Sequence, residues 1–342
     1  MIAPKVLLRL FRIFADYRKR RDTVNALPIR LWVETSSRCN LRCPMCPNKD
    51  MPGKDKTVME PALFKKIVDE AKSFINDMYI HHRGEPLLNP ALFELIAYAR
   101  EAGIHVRFHS NGALLTPDKA ESLLNACPDL VSFSIDGFTA EPYERIRVGA
   151  KFDDTVTNII RLAEMRRTRG LKKPYLVVEK IRFRNPDPSE NPAAVAELKT
   201  RFLAAGVDEV IEKEEYTWAE PGAPEPEGQR TSPCCTFPWY AMVICADGTV
   251  TPCPQDFWAT MHMGNVRTSS LREIWNGDAY RKLRHQLAHD IDSLPLCRKC
   301  DRLRRKTVGG VPFQYMMTFL MDQLVGYNRR LRTLLGTSER NN

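Results

Sequence analysis

No apolar run in the 342 residues approaches the roughly 18 that a transmembrane helix needs, so the chain is not built to cross a bilayer as a helix. The N-terminus is basic. It has no uninterrupted apolar segment and no small-residue cleavage site, and so lacks the marks of a secretory signal. Without export the ten cysteines have no oxidising compartment, and they read as reduced thiols or metal ligands of a cytoplasmic protein. A basic stripe along the body is missing too. The net charge of +9 sits in the tails: residues 1–22 carry seven Lys/Arg against two acids, residues 303–342 the same, and the middle is close to neutral. That argues against nucleic acid as a ligand, which wants a basic, aromatic-lined groove on the fold itself. No internal repeat is present.

What is there is globular. Apolar residues make up 43% and charged residues 27%, which excludes wholesale disorder, and the length fits about two domains. Val6, Leu7, Leu10, Phe11, Phe14 and Tyr17 recur near helical spacing among Arg and Lys, predicting a basic amphipathic helix within residues 1–27. Strand-like runs follow at 30–37, 78–82, 104–110, 130–136, 175–183 and 207–213. Helical patterns alternate with them at 59–74, 90–103, 116–127, 155–170 and 192–206. Alternation of this kind implies parallel βαβ units. Six strands are too few for a closed eight-stranded barrel, so residues 28–216 are expected to form an α/β partial (β/α)6 barrel, with functional groups at the C-terminal strand ends. Residues 217–233, rich in Pro, Gly and Glu, read as a linker. Residues 234–302 are Cys- and Pro-rich and read as a small α+β domain, and 303–342 as a basic helical tail.

The first strand runs into Cys39-x3-Cys43-x2-Cys46. Three thiolates on one loop can ligate three irons of a cubane cluster, leaving the fourth iron open. A zinc site would want a fourth Cys or His nearby, and His81 is distant in sequence.

On these residues the chain resembles the radical S-adenosylmethionine (SAM) enzymes. The resemblance implies that the open iron of a [4Fe–4S] cluster chelates SAM. Reductive cleavage of SAM then yields a 5′-deoxyadenosyl radical that abstracts a substrate hydrogen. Arg83-Gly84-Glu85-Pro86 resembles the family's Gly-Gly-Glu-Pro motif, with Arg83 in place of the first Gly, and implies that Gly84 and Glu85 hold the SAM amino group. Ser110-Asn111-Gly112 and Ser134-Ile135-Asp136-Gly137 resemble elements facing SAM. Arg147 resembles an arginine that pairs with the SAM carboxylate, with Arg145 as a rival for that role. Met45 stands where the family usually has an aromatic residue, its backbone free to contact adenine.

Cys235-x12-Gly248-x4-Cys253, followed by Cys297-x2-Cys300, resembles the SPASM/twitch auxiliary-cluster motif. Asp247-Gly248 signals a hairpin, and 271–283 reads as a helix. Four thiolates would saturate a second [4Fe–4S] cluster, and a four-cysteine zinc site is the bland alternative. Cys234 could replace Cys235 as ligand. No cysteine follows Cys300, so one auxiliary cluster is expected. Cys127 and Cys245 read as packing thiols.

A second cluster offers a sink for the electron left after hydrogen abstraction. The expectation is therefore dehydrogenation of a hydroxylated sugar, cyclitol or lipid-linked small molecule. A ribosomal-peptide maturase is the alternative, disfavoured because only about 27 residues precede the barrel, too few for a leader-binding domain. An inactive iron–sulfur scaffold is the alternative of another class, and the intact Cys39/Cys43/Cys46 set argues against it. His81, His82 and His109 end strands, and one of them facing the pocket could accept a proton. They are read first as structural, and no catalytic residue is assigned. The basic tails suggest contact with an anionic membrane surface or with an acidic flavodoxin or ferredoxin donor. The other reading of the tails is that their helices pack on the barrel, closing its bottom or an oligomer interface.

Overall fold

A computed structural model of the chain describes residues 4–184, 191–215, 218, 228–231, 234–304, 307–308 and 311–312. Most of the expected linker and nearly all of the expected C-terminal tail lie outside the described residues.

Helix α1 (Pro4–Arg18) precedes six strands joined by five helical connections. The strands are β1 (Arg30–Val33), β2 (Asp77–Tyr79), β3 (His105–Ser110), β4 (Leu130–Ser134), β5 (Tyr175–Arg182) and β6 (Glu209–Glu214). The helices between them are α2 (Pro61–Ala71), α3 (Leu92–Glu101), α4 (Pro117–Ala126), the pair α5 (Ala140–Ile146) and α6 (Phe152–Thr168), and α7 (Pro192–Ala205). All six strands pair in parallel with their neighbours. Helix α4 starts as its sequence predicts: the Thr116 side chain accepts a hydrogen bond from Lys119 N–H, and Pro117 takes the first position. Helix α5 escapes sequence reading because seven residues carry too few turns for a periodic signal.

The Cys-rich region is not a separate layer. Helix α8 (Phe237–Tyr240) leads into β7 (Ala241–Ile244), which pairs in parallel with β1. Strands β8 (Thr249–Thr251) and β9 (Gly264–Asn265) follow antiparallel. The result is one nine-stranded sheet in the order β6-β5-β4-β3-β2-β1-β7-β8-β9. The Asp247-Gly248 turn joins β7 to β8, with Gly248 at φ +93. The helix expected over 271–283 is two: α9 (Leu271–Trp275) and α10 (Asp278–His289), with the short α11 (Pro295–Arg298) beyond. The break comes where the Asn276 side chain bonds both ways to the backbone of Val24, its Nδ2 donating at 3.0 Å and its Oδ1 accepting at 3.0 Å. A long-range contact thus ends a pattern that local periodicity would continue.

Side chains alternate across the sheet. Met78, Ile80, Val106, Phe108, Val131, Phe133, Leu176 and Val178 face the helices in the main core. The other face lines a polar lumen. At its N-terminal end Arg30 donates to Asp77 at 2.6 and 2.5 Å, and Arg107 lies 3.8 Å from the same carboxylate. Helix α1 packs across this end, with Leu10 and Ile13 against Phe237, Tyr240 and Val243, and Arg9 bonded to the carbonyl of Phe74.

Burial alone would raise the Asp77 carboxyl, but Arg30 and Arg107 outweigh it and hold it below the ordinary carboxylate range. Its stabilising effect is present above the unfolded value of about 3.9, and is lost as pH falls toward the lower folded value. Asp77→Asn is expected to cost about 3–5 kcal/mol, seen as a lower urea midpoint at pH 7. An unchanged midpoint would mean that the arginines find other partners.

Candidate active site

The loop after β1 carries the three cysteines, and the C-terminal ends of other strands are tied to it. Glu85 N–H donates to the Arg38 carbonyl at 2.8 Å. Asn111 Nδ2 donates to Asn40 Oδ1 at 2.9 Å. Arg42 N–H donates to the Val148 carbonyl at 2.9 Å. Loops after β2, β3 and β4 therefore converge on residues 38–46, bringing together motifs more than 100 positions apart.

Gly84 is required by close approach. A Cβ there would lie 2.4 Å from the Arg38 carbonyl oxygen and 2.5 Å from that of Ser36, which are backbone atoms that cannot give way. The approach is to the cysteine loop itself. Glu85 is buried, and its carboxylate accepts from Leu87 N–H at 3.0 Å, Ser110 Oγ at 2.9 Å and Asn111 N–H at 2.8 Å. Those bonds tie the β2 and β3 loops together through one carboxylate. Burial raises the Glu85 carboxyl despite its three donors.

Arg147 caps α5 and points inward, forming an ion pair with buried Asp136 and placing Nη1 3.9 Å from Cys43 Sγ. Arg145 instead pairs with Glu141 on the exposed face of α5, which settles which of the two arginines faces the site. Ser134 closes β4, two residues before Asp136, and Met45 lies partly buried in the turn that Cys46 N–H closes onto the Cys43 carbonyl at 3.0 Å. Arg83, the departure from the family motif, donates to buried Glu34 at 2.6 and 2.8 Å. Glu34 also accepts from Ala246 N–H at 3.1 Å. The arginine thus ties the β2 loop to the Cys-rich region.

A second site lies beyond β7. Cys235, Cys253, Cys297 and Cys300 line one cavity, walled by Phe237, Leu296 and Leu303. Cys234 does not line it: it is fully buried, and its carbonyl accepts from the Tyr17 hydroxyl at 3.1 Å. Cys127 ends α4 and Cys245 follows β7 in the core, both away from this cavity. Burial raises the Cys39 thiol to about 11 and the Cys253 thiol to about 12. Burial also raises the Cys43, Cys46, Cys235 and Cys297 thiols, so ligation must displace protons.

The donor sets fit iron–sulfur clusters. Four thiols around a cavity suit a group with its irons spread between them.

The sequence pointed to His81 and His109 at strand ends but not to the lumen residues around them. Trp32 and Tyr79 stack there with ring centroids 4.9 Å apart. Trp32 also meets Phe237, a wall of the second cavity, at 5.1 Å. Above them lie His81, His109, Glu179 and Lys213. The signal available was the alternation of polar residues in otherwise apolar strands, which is weak for any single strand.

Residues 33–174 match the Radical SAM superfamily, and residues 234–301 match SPASM, an iron-sulfur cluster-binding domain. The chain is 28% identical over 320 residues to a tungsten-containing aldehyde ferredoxin oxidoreductase cofactor-modifying protein of Pyrococcus furiosus, covering 79% of this chain and 86% of that one. It is 25% identical to an S-adenosyl-L-methionine-dependent 2-deoxy-scyllo-inosamine dehydrogenase of Niallia circulans, covering 80% and 93%. It is 24% identical to a PqqA peptide cyclase of Gluconobacter oxydans, covering 83% and 85%. Among solved structures, BtrN in complex with AdoMet and 2-DOIA shares the fold at a TM-score of 0.54 and 21% identity, covering 84% of this chain and 99% of that one.

With Cys39, Cys43 and Cys46 all changed to Ala, anaerobically reconstituted protein is expected to retain about four irons per chain, with matching sulfide. Near-zero iron with about one zinc would make the Cys235 site structural.

Proposed function

We propose that this chain, which belongs to the radical SAM superfamily and carries a SPASM-type iron–sulfur cluster-binding domain, removes two electrons from a hydroxyl-bearing small molecule such as a sugar or cyclitol. The observation that carries this reading is the four-cysteine cavity, one aromatic contact from the lumen through Phe237 and Trp32. Cys39, Cys43 and Cys46 would hold the SAM-binding cluster, whose reduced form with SAM supplies the 5′-deoxyadenosyl radical. Cys235, Cys253, Cys297 and Cys300 would hold the auxiliary cluster, an electron acceptor.

The chain's own residues do the positioning. Arg147 offers a guanidinium fork beside Cys43, suited to the SAM carboxylate, with Asp136 orienting it. Glu85, Ser110 and Asn111 keep two loops at the height of the cysteine loop. Arg38 and Arg42, exposed on that loop, are the cations that an acidic flavodoxin or ferredoxin would meet.

The peptide-maturase reading has support from the peptide-cyclase relative. Against it stands the lumen layer of His81, His109, Glu179 and Lys213, which is small and polar. The test is product stoichiometry with a panel of aminocyclitols and sugars, 2-deoxy-scyllo-inosamine first. One ketone or aldehyde per 5′-deoxyadenosine is expected, and a redox-neutral product would sink the reading.

We also propose peripheral contact with an anionic membrane. Helix α1 has more apolar surface than the barrel uses: Leu7, Leu8, Phe11 and Phe14 are 47–67% exposed. Lys5, Arg12 and Arg18 stand exposed around them, while Asp16 is buried and accepts from Asn25 N–H at 2.8 Å. Like charges would oppose pairing of this face with a second copy. Phe11→Ser with Leu8→Ser is expected to abolish co-sedimentation of the full chain with phosphatidylglycerol vesicles. Equal sedimentation of both proteins, or of neither, would remove the idea.

A further inference from the structure

The lumen holds a polar layer that neither cysteine site uses. Strand alternation puts Tyr79, His81, Arg107, His109, Glu179 and Lys213 on the face opposite Met78, Ile80, Val106, Phe108 and Val178, which lie under the helices. Four of the lumen side chains, from β5, β6 and the C-terminal ends of β2 and β3, meet one another. Lys213 Nζ lies 2.7 Å from Glu179 Oε2, and His109 Nδ1 lies 3.5 Å from the same oxygen. The rings of His81 and His109 are 4.4 Å apart. The side chains of His109, Glu179 and Lys213 are 28%, 12% and 49% exposed, so the layer is open to a ligand. Tyr79 and Trp32, one layer below, form its floor.

One hydrogen bond and one charge contact orient the two imidazoles. His81 Nδ1 accepts the backbone N–H of His109 at 3.2 Å, so neutral His81 carries its proton on Nε2. His109 turns Nδ1 to 3.5 Å from the Glu179 carboxylate, a contact longer than a formed hydrogen bond; it favours the tautomer with the proton on Nδ1, which leaves the lone pair on Nε2. Among the described residues no hydrogen bond engages that nitrogen. Burial lowers both imidazoles below the ordinary histidine range; for His109 the Glu179 charge works against burial and Lys213 works with it. Burial would raise Glu179, but His109 and Lys213 bring it to about 2. The layer thus sets the His109 imidazole beside the Glu179 carboxylate, with Lys213 as the ion-pair partner of that carboxylate.

We propose that His109 is the catalytic base of the lumen, its Nε2 taking the proton of the substrate hydroxyl, with Glu179 as the positioning residue that fixes its tautomer and Lys213 holding Glu179 in place. The proposal rests on the dehydrogenation reading above. In that reaction the carbon-bound hydrogen leaves as an atom to the 5′-deoxyadenosyl radical. The hydroxyl proton would go to His109 and the remaining electron to the iron–sulfur group that Cys235, Cys253, Cys297 and Cys300 would hold, so that the C–O single bond becomes C=O. A carboxylate behind the imidazole also stabilises the imidazolium that forms.

Two measurements test it on the full chain. Diethyl pyrocarbonate acylates an uncharged imidazole whose lone pair is free and reachable, and mapping of the seven histidines is expected to show His109 modified at pH 7. Resistance of His109 overturns the assignment whatever the substrate. The second measurement uses a substrate deuterated at the hydroxyl-bearing carbon, drawn from the same aminocyclitol and sugar panel. His109→Gln is expected to keep deuterium transfer into 5′-deoxyadenosine while ketone formation falls about 100-fold or more, recovering as pH rises. Glu179→Gln is expected to shift the pH profile of ketone formation without altering deuterium transfer. Ketone formation by His109→Gln at the wild-type rate overturns the role of His109. Failure of the wild-type protein to form any ketone overturns the dehydrogenation reading, and with it the role, while acylation still reports whether His109 is a free base.

Discussion

Backbone contact between the cysteine loop and the strand ends is the constraint on which the rest of the site depends. The loop over residues 38–46 has little regular structure of its own. Its position comes from Glu85 N–H on the Arg38 carbonyl, Asn111 on Asn40, and Val148 on Arg42 N–H. Gly84 makes the first of these possible, because any side chain would strike the carbonyls of Ser36 and Arg38. Glu85 then transmits the position onward to Ser110 and Asn111. Thiols held in this way are preorganised, and a group bound by them is aimed by the barrel rather than by the loop.

The same parallel sheet that raises these loops also separates two chemistries by face. One face is apolar and packs under helices, and the other carries charge at both ends. At the N-terminal end Arg30, Asp77 and Arg107 neutralise one another and are closed off beneath α1. At the C-terminal end Glu179, Lys213 and the two histidines stay within reach of solvent. The difference is access. A buried ion cluster that water cannot reach is structural, whereas a polar layer open to the lumen has spare hydrogen-bonding capacity for a ligand.

Joining β7 to β1 has a functional consequence. It brings the four-cysteine cavity against the lumen wall, so that Phe237 touches both Trp32 and the cavity. The Arg83–Glu34 pair and the Ala246 N–H on Glu34 lock the two regions together at the level of the cysteine loop. Arg83, which stands where the resembled motif has Gly, thus serves as a brace between the two cysteine sites.

Much of this was legible before any coordinates. Cys-x3-Cys-x2-Cys, Gly-Glu-Pro and the paired distal cysteines are local spacings, and local spacing survives in the chain whatever surrounds it. The βα alternation was legible because burial under helices forces apolar periodicity on each strand. The sequence could not say which of Cys234 and Cys235 faces the cavity, or which of Arg145 and Arg147 turns inward. Adjacent or near-adjacent residues differ only in direction, and direction is set by packing partners elsewhere. Nor could it join His81, His109, Glu179 and Lys213. They lie on or at the ends of four strands, and the sheet pairing puts them on one face, where His109 reaches Glu179 and Glu179 reaches Lys213. Chemistry carried within a single loop was therefore written in the sequence, whereas chemistry assembled across strands was decided by the tertiary structure, because side chains far apart along the chain meet only where the sheet pairs them.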